Sequence, residues 1–309
     1  MGCGGSKPAA PPVVKSSFLE GAPNDEKELS LVWHEKLHVA AATCKMQGWR
    51  RNQEDMAIAH ANFNGAPDVV FGGIFDGHSG PSASSFASEH IVPAVVKSAQ
   101  WKAGDVDGAL GFLDTDNALR EAATKDGTTA ICAVVGDTHL WVANCGDSRA
   151  VLCRGGAAVA LSTDHKPNVP EERARIRRAG GYVDVFDPAV PRVMAPNCYM
   201  AMATSRTLGD FHFKTDKRRP QDEQIVSPRP AVVKMERQDD DQFIILASDG
   251  VWDVMSNQNV CDFLLAEWAV AAARHARESM VGALAEALLA RCLAKGTMDN
   301  CSCVIIDLR

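Results

Sequence analysis

Val69-Val70-Phe71-Gly72-Gly73-Ile74-Phe75-Asp76-Gly77 is a nearly continuous apolar run that stops on a carboxylate and a glycine. The pattern returns in Phe243-Ile244-Ile245-Leu246-Ala247, which leads through Ser248 to Asp249-Gly250. Short apolar runs bounded by turn residues read as buried strands. A buried strand end is rigid, so a carboxylate there is held in place rather than moving in solvent. The adjoining glycine lets a backbone carbonyl come close to a ligand.

Working outward, Val39–Met46 is another short apolar run, followed by the polar Gly48–Asp55. Ile131–Val135 and Leu140–Ala143 flank Gly136-Asp137 as a hairpin, and Ala150–Cys153 and Ala157–Leu161 flank Gly155-Gly156 as a second. Cys303–Leu308 closes the chain as a strand. Helical spacing marks Pro81–Gln100 through Phe86, Ile91 and Val95. Glu171–Arg178 is a charged helix closed by Gly180-Gly181. Asn257–Ala273, with Ser256 as N-cap, and Glu278–Lys295, with Gly296 as C-cap, are two longer helices. Strands gathered around two sets of helices predict an α+β sandwich in which helices cover sheets.

The length of 309 residues is at the upper edge of what one core serves, and 46% hydrophobic with 23% charged residues is ordinary for a globular chain. The balance of 32 basic and 39 acidic residues, net −7, argues against a nucleic-acid partner, which needs clustered Lys and Arg. No apolar run reaches the length of a membrane span. Ten cysteines are scattered with no C-x-x-C pair. All but Cys3 read as reduced thiols packing as small apolar groups.

Residues 1–30 stand apart as a flexible leader, with a catalytic domain expected over 31–309. Met1–Ser17 is rich in Gly, Pro, Ala and Ser, and Glu20–Glu28 is polar and acidic. Met1-Gly2-Cys3-Gly4-Gly5-Ser6 fits the myristoylation pattern, with Gly2 as acceptor. One such chain holds a protein only reversibly, and Cys3 offers a palmitoylation site for the second anchor. The expectation is a protein held at the cytoplasmic face of a membrane by lipid.

Further acidic residues share the strand-end setting. Glu54-Asp55 follows the first strand, Asp147 follows Leu140–Ala143, and Asp299 precedes the last strand. Gathered on one rim, these carboxylates would repel unless protonated or neutralised by divalent cations. Oxygen ligands favour Mg²⁺ or Mn²⁺ over Zn²⁺; the alternative is a set of separate turns. Asp107-Gly108 and Asp126-Gly127, in polar surroundings, read as turns only. A phosphate loop fails because His78 stands where Lys is required. A nucleophile elbow fails at Pro81, and no dinucleotide fingerprint follows a strand.

Eight segments in order carry a resemblance: Gly48–Asp55, Phe75–Gly80, Gly127–Ala130, Asn144–Arg149, Asp164–Pro167, Ser205–Asp210, Ala247–Asp253 and Asp299-Asn300. Together they resemble the metal-dependent serine/threonine protein phosphatases of type 2C, over about residues 38–308. The resemblance implies two packed antiparallel sheets flanked by helices, four layers in all, with a dinuclear metal site at one end. It implies that Asp76 bridges two Mg²⁺ or Mn²⁺ ions, that the Gly77 carbonyl binds one, and that Asp249 and Asp299 complete the other's ligands. Glu54 would hold the second ion directly or through water, with Asp55 standing behind. Asp147, with Asp249 and Asp253, matches the position of a third, weaker ion. Arg50 matches the residue that grips the substrate phosphate, and His78 the proposed general acid. The substrates implied are phosphorylated proteins, and the chain is expected to be a monomer.

Two departures stand out. Ala195–Met202 is Met-rich and lengthened where the resemblance implies a segment near the flap of the substrate cleft, and the stretch between His78 and Thr128 is short for the family. A catalytically dead scaffold would have lost metal carboxylates, yet Glu54, Asp76, Asp249 and Asp299 are all present. A hydrolase of small phosphate esters stays open as the other reading.

Overall fold

Val70–Phe75 is buried at all six positions, and so are the seven of Cys301–Asp307. Such strands belong in sheet interiors covered on both faces. The computed structural model describes residues 18–62, 68–102, 111–185, 190–196 and 198–309. In chain order its first elements are β1 (Leu19–His34), β2 (Val39–Arg50), β3 (Met56–Ala61), β4 (Val70–Phe75), β5 (Gly77–His78), α1 (Ser82–Lys97), α2 (Ala99–Lys102) and α3 (Phe112–Glu121). Next come β6 (Gly127–Thr128), β7 (Ala130–Val135), β8 (His139–Cys145), β9 (Arg149–Arg154), β10 (Ala157–Ala160) and α4 (Pro170–Arg178). Then follow β11 (Tyr182–Asp184), β12 (Arg192–Met194), β13 (Ala201–Met202), β14 (Leu208–Gly209), β15 (Ala231–Glu236) and β16 (Asp241–Ala247). The last are α5 (Asp249–Trp252), α6 (Asn257–Ala272), α7 (Arg277–Ala294) and β17 (Cys301–Asp307).

Two antiparallel sheets result. One has the order β1-β2-β17-β16-β9-β10 and the other β15-β8-β7-β4-β3. Period-two alternation sorts β2 between two cores: Val39 and Ala41 face the second sheet, while Ala40, Ala42, Cys44 and Met46 face α6 and α7. On the far side, Phe71 and Phe75 of β4 pack with Ala87, Ile91 and Leu119 of α1 and α3. The layers are therefore helix, sheet, sheet, helix, as the α+β sandwich requires. Ser256 caps α6 by accepting the Asn259 N–H, and Gly296 takes φ +89 after α7, as the sequence predicts. The nine described cysteines are free, eight of them buried.

The folded unit begins earlier than residue 31. β1 starts at Leu19, pairs with Arg50 there, and runs in continuous register from Lys27 to His34 against β2. Its Glu20–Glu28 stretch lies on the exposed edge of the sheet, where polar side chains are the rule because only one strand neighbour is present. Composition alone resembles a leader there, whereas the ladder to β2 orders it. Gly2, Cys3 and Asp107 lie outside the described residues. Asp126 is not a surface turn: it is buried, and its Oδ2 accepts the N–H of Ser82, the first residue of α1, at 2.7 Å. Among the described residues no helix is long and apolar enough to cross a membrane.

Candidate active site

Antiparallel register brings the strand ends to one rim. Cys301 of β17 lies opposite Met46 of β2, and Ala247 of β16 lies opposite both Cys303 and Arg149. In the other sheet Phe75 lies opposite Met56, and Ala130 opposite Cys145. Hence Arg50 at the end of β2, Glu54 and Asp55 after it, Asp76 after β4, Asp147 after β8, Asp249 after β16 and Asp299 before β17 all belong to the same end of the sandwich.

Asn300 locks this rim together. Its amide donates to the carbonyls of Gln47 and Asn52 at 2.8 and 3.0 Å, and its Oδ1 accepts the Glu54 N–H at 3.0 Å. Thr129 fixes Asp76 by exchanging hydrogen bonds: its N–H donates to the Asp76 carbonyl at 2.9 Å, and its Oγ1 accepts the Asp76 N–H at 3.2 Å. Gly77 approaches so closely that a Cβ there would lie 2.4 Å from the Glu54 carbonyl oxygen. No other residue fits.

Burial first, and then the neighbouring carboxylates, hold the acidic groups well above their ordinary range. Asp76 is raised by burial and by Asp249, Asp55, Asp299 and Asp147. Asp249 is raised by burial and by Asp147, Asp299 and Asp253. Asp55 is pushed up to about 7 by burial and then by Asp299, and its Oδ2 has no partner. Two cationic side chains already offset part of this charge. Arg50 Nη2 donates to Asp299 Oδ2 at 2.5 Å, and Lys166 Nζ pairs with Asp147 Oδ2. Among the described residues no three such side chains form a closed ligand cage. The carboxylates sense one another strongly without meeting at one point. The donor set still fits a hard divalent cation: it is all oxygen, its buried members repel, and Asp55 carries an orphaned buried oxygen.

Directly after Asp76, β5 joins β6 and β14 in a small separate sheet. It sets His78 against Asp210, Nε2 to Oδ2 at 2.8 Å. Thr207 Oγ1 donates to the same oxygen at 2.6 Å, and Asp210 itself sits in the left-handed region at φ 50. Burial opposes charge on His78, but the Asp210 carboxylate outweighs it and raises the imidazole above its ordinary range. Behind this pair lies a fully buried ion pair, Lys214 Nζ to Asp116 Oδ1 at 2.6 Å. Lys214 also donates to the Thr207 carbonyl, so it fixes the loop that carries Asp210.

The type 2C phosphatase family model matches residues 39–301, which contain all these rim residues. The chain belongs to the protein phosphatase 2C family. It is 34% identical over 282 residues to protein phosphatase 1B of Mus musculus, covering 84% of this chain and 68% of that one. It is 34% identical over 281 residues to protein phosphatase 1A of Homo sapiens, with the same coverage. Among solved structures, a phosphatase from a pathogenic strain of Toxoplasma gondii superposes with TM-score 0.75 at 24% identity, over 91% of this chain and 95% of that one. A serine-threonine phosphatase 2C from Toxoplasma gondii gives TM-score 0.73 at 23% identity, over 91% and 99%. This phosphatase is therefore a metal-dependent enzyme acting on phosphorylated proteins.

Sequence reasoning assigned no role to Asp210, Lys166 or Asn300, although all three lie in quoted segments. The missing signal is the partner. Asp210 meets a residue 132 positions away and Asn300 one 246 away, so only the folded register pairs them.

Proposed function

We propose that this phosphatase hydrolyses phosphoserine and phosphothreonine esters of proteins with two Mg²⁺ or Mn²⁺ ions held by Asp76, the Gly77 carbonyl, Asp249, Asp299 and Glu54. The observation that carries the reading is the gathering of buried, mutually repelling carboxylates beside Arg50 at one rim. When bound, the ions supply Lewis acidity for an attacking water and charge against the phosphoryl oxygens.

The chain's own residues do the rest. Arg50 spends one Nη on Asp299, while its Nε is buried without a partner, so its fork has donors left for phosphoryl oxygens. Asn300 and Ser84 hold the Glu54 backbone, and Asp55 stands behind the ligands among Ser248 and Ser302. Asp210 engages His78 Nε2, so the proton that can pass to a departing serine or threonine alkoxide sits on Nδ1. Asp147 is neutralised by Lys166, so a third ion there has to displace an ammonium.

Acylation of Gly2 and Cys3 would tether the monomer to the cytoplasmic face of a membrane. The supporting observation is the Met1–Ser6 pattern. Release of phosphate from a phosphothreonine peptide tests the chemistry. Excess chelator should abolish it, Mn²⁺ or Mg²⁺ should restore it, and Asp76→Asn should cost the most of any single change. Full activity of the chelated enzyme or of Asp76→Asn refutes the mechanism.

A further inference from the structure

A cleft of about 430 Å³ opens beside Arg50 and Asp299. Three segments wall it, each fixed independently. The start of β1 contributes Phe18 and Leu19, and the pairing of Leu19 with Arg50 pins that start to the rim. The turn between α7 and β17 contributes Thr297 and Met298; Thr297 Oγ1 donates to the Gly250 carbonyl at 2.8 Å, which holds the turn against α5. The residues just past α5 contribute Val254 and the exposed Asp253.

The cleft pairs an apolar surface with a catalytic rim. Phe18 is 70% exposed and Met298 46%, next to the arginine assigned to grip phosphate. Exposed apolar side chains that adjoin a working site mark a surface that something covers. Arg50 and Asp299 line both the cleft and the site, so a peptide whose phosphate is held by Arg50 must pass its next residue along this wall.

We infer that the cleft receives the side chain next to the phosphoresidue, and that it selects an apolar one over glycine and over an acid. Phe18 and Met298 supply the contact, which a glycine or an acidic side chain cannot use. The inference rests on the proposed phosphatase reading and adds its substrate class. A leucine that buries half its side chain gains about tenfold in kcat/KM, or ~1.4 kcal/mol.

The test uses phosphothreonine peptides identical except for Leu, Gly or Asp at the immediately preceding or following residue, with the full-length enzyme and Mn²⁺. Wild type should favour Leu over Gly about tenfold at one of the two positions, with Asp lowest. Phe18→Ser and Met298→Ser, both at exposed positions, should each bring the Leu to Gly ratio below about three while turnover of the Gly peptide holds. An unchanged ratio in both variants overturns the inference. So does an equal rise on all peptides, which would mean that the chain's own leader fills the cleft. Hydrolysis without any preference refutes the cleft alone, whereas no hydrolysis of any peptide refutes the phosphatase reading as well.

Discussion

Gly127 offers a direct test of how His78 is held. It lies in β6 between the strand of His78 and that of Gly209, paired to both. A methyl group added there would stand 2.0 Å from Asp210 Oδ2 and 2.3 Å from its Cγ, where ordinary contact begins at 3.4 Å. The strand cannot yield without giving up one of its two ladders, so the carboxylate must retreat by about 1.4 Å, the gap between 2.0 and 3.4 Å. That stretches the 2.8 Å bond to His78 past hydrogen-bonding distance and also pulls on the Thr207 hydroxyl. Overpacking of this kind costs about 1–3 kcal/mol of stability. A misplacement near 1 Å costs on the order of 10²-fold in rate.

Gly127→Ala should therefore lose about 10²-fold on a phosphothreonine peptide and less than about tenfold on p-nitrophenyl phosphate. The aryl leaving group departs with little protonation, while the alkoxide needs the proton. Turnover on both substrates, with a melting curve to confirm folding, decides the matter. A folded variant with wild-type peptide turnover refutes the packing argument. Equal losses on both substrates refute the assignment of His78 as acid.

His78→Ala should give the same selective loss on alkyl esters, read from the same two assays. His165 makes folding pH-dependent. Its Nδ1 accepts the Gly146 N–H, and burial first, then Arg206, lowers its pKa from 6.5 to about 4. Between those values the unfolded chain binds the extra proton, so stability is full above pH 6.5 and falls as pH drops through about 4, by roughly 3 kcal/mol. Urea midpoints from pH 7 to 4 should fall less steeply in His165→Gln, and parallel curves would remove His165 from that role. Gly2→Ala should move the protein to the soluble fraction, and Cys3→Ser should weaken retention, both with peptide turnover intact; membrane fractionation of Gly2→Ala like wild type would end the lipid-anchor reading.

The two halves of the site differ in how far the sequence reveals them. Asp76 and Asp249 each close an apolar run, so their placement follows from a local rule: a strand buried on both faces has a rigid end. The rim inherits its geometry from the sheets, and the carboxylates Glu54, Asp55, Asp76, Asp147, Asp249 and Asp299 could be picked out by their strand-end setting before any contact was known. The leader boundary went astray because β1 is an edge strand, where polar residues satisfy the ladder as well as apolar ones. Asp126 went astray because its polar neighbours hide a buried carboxylate that starts α1.

The acid side of the site has no such local marker. His78 sits in a strand of two residues and Asp210 just past another, both too short for any periodicity, and their meeting depends on β6 lying between those strands. The Lys214–Asp116 pair behind them is buried on both sides, which is unfavourable for isolated charges and tolerable only with all donors engaged. Lys214 meets this demand through the Thr207 carbonyl, and Asp116 through the Gly209 N–H and Gln221. Those bonds anchor residues 207 and 209, the backbone that leads into Asp210. The buried pair thus fixes the carboxylate that aims the imidazole. Breaking it would act on His78 from two contacts away, with no change to any carboxylate on the metal rim.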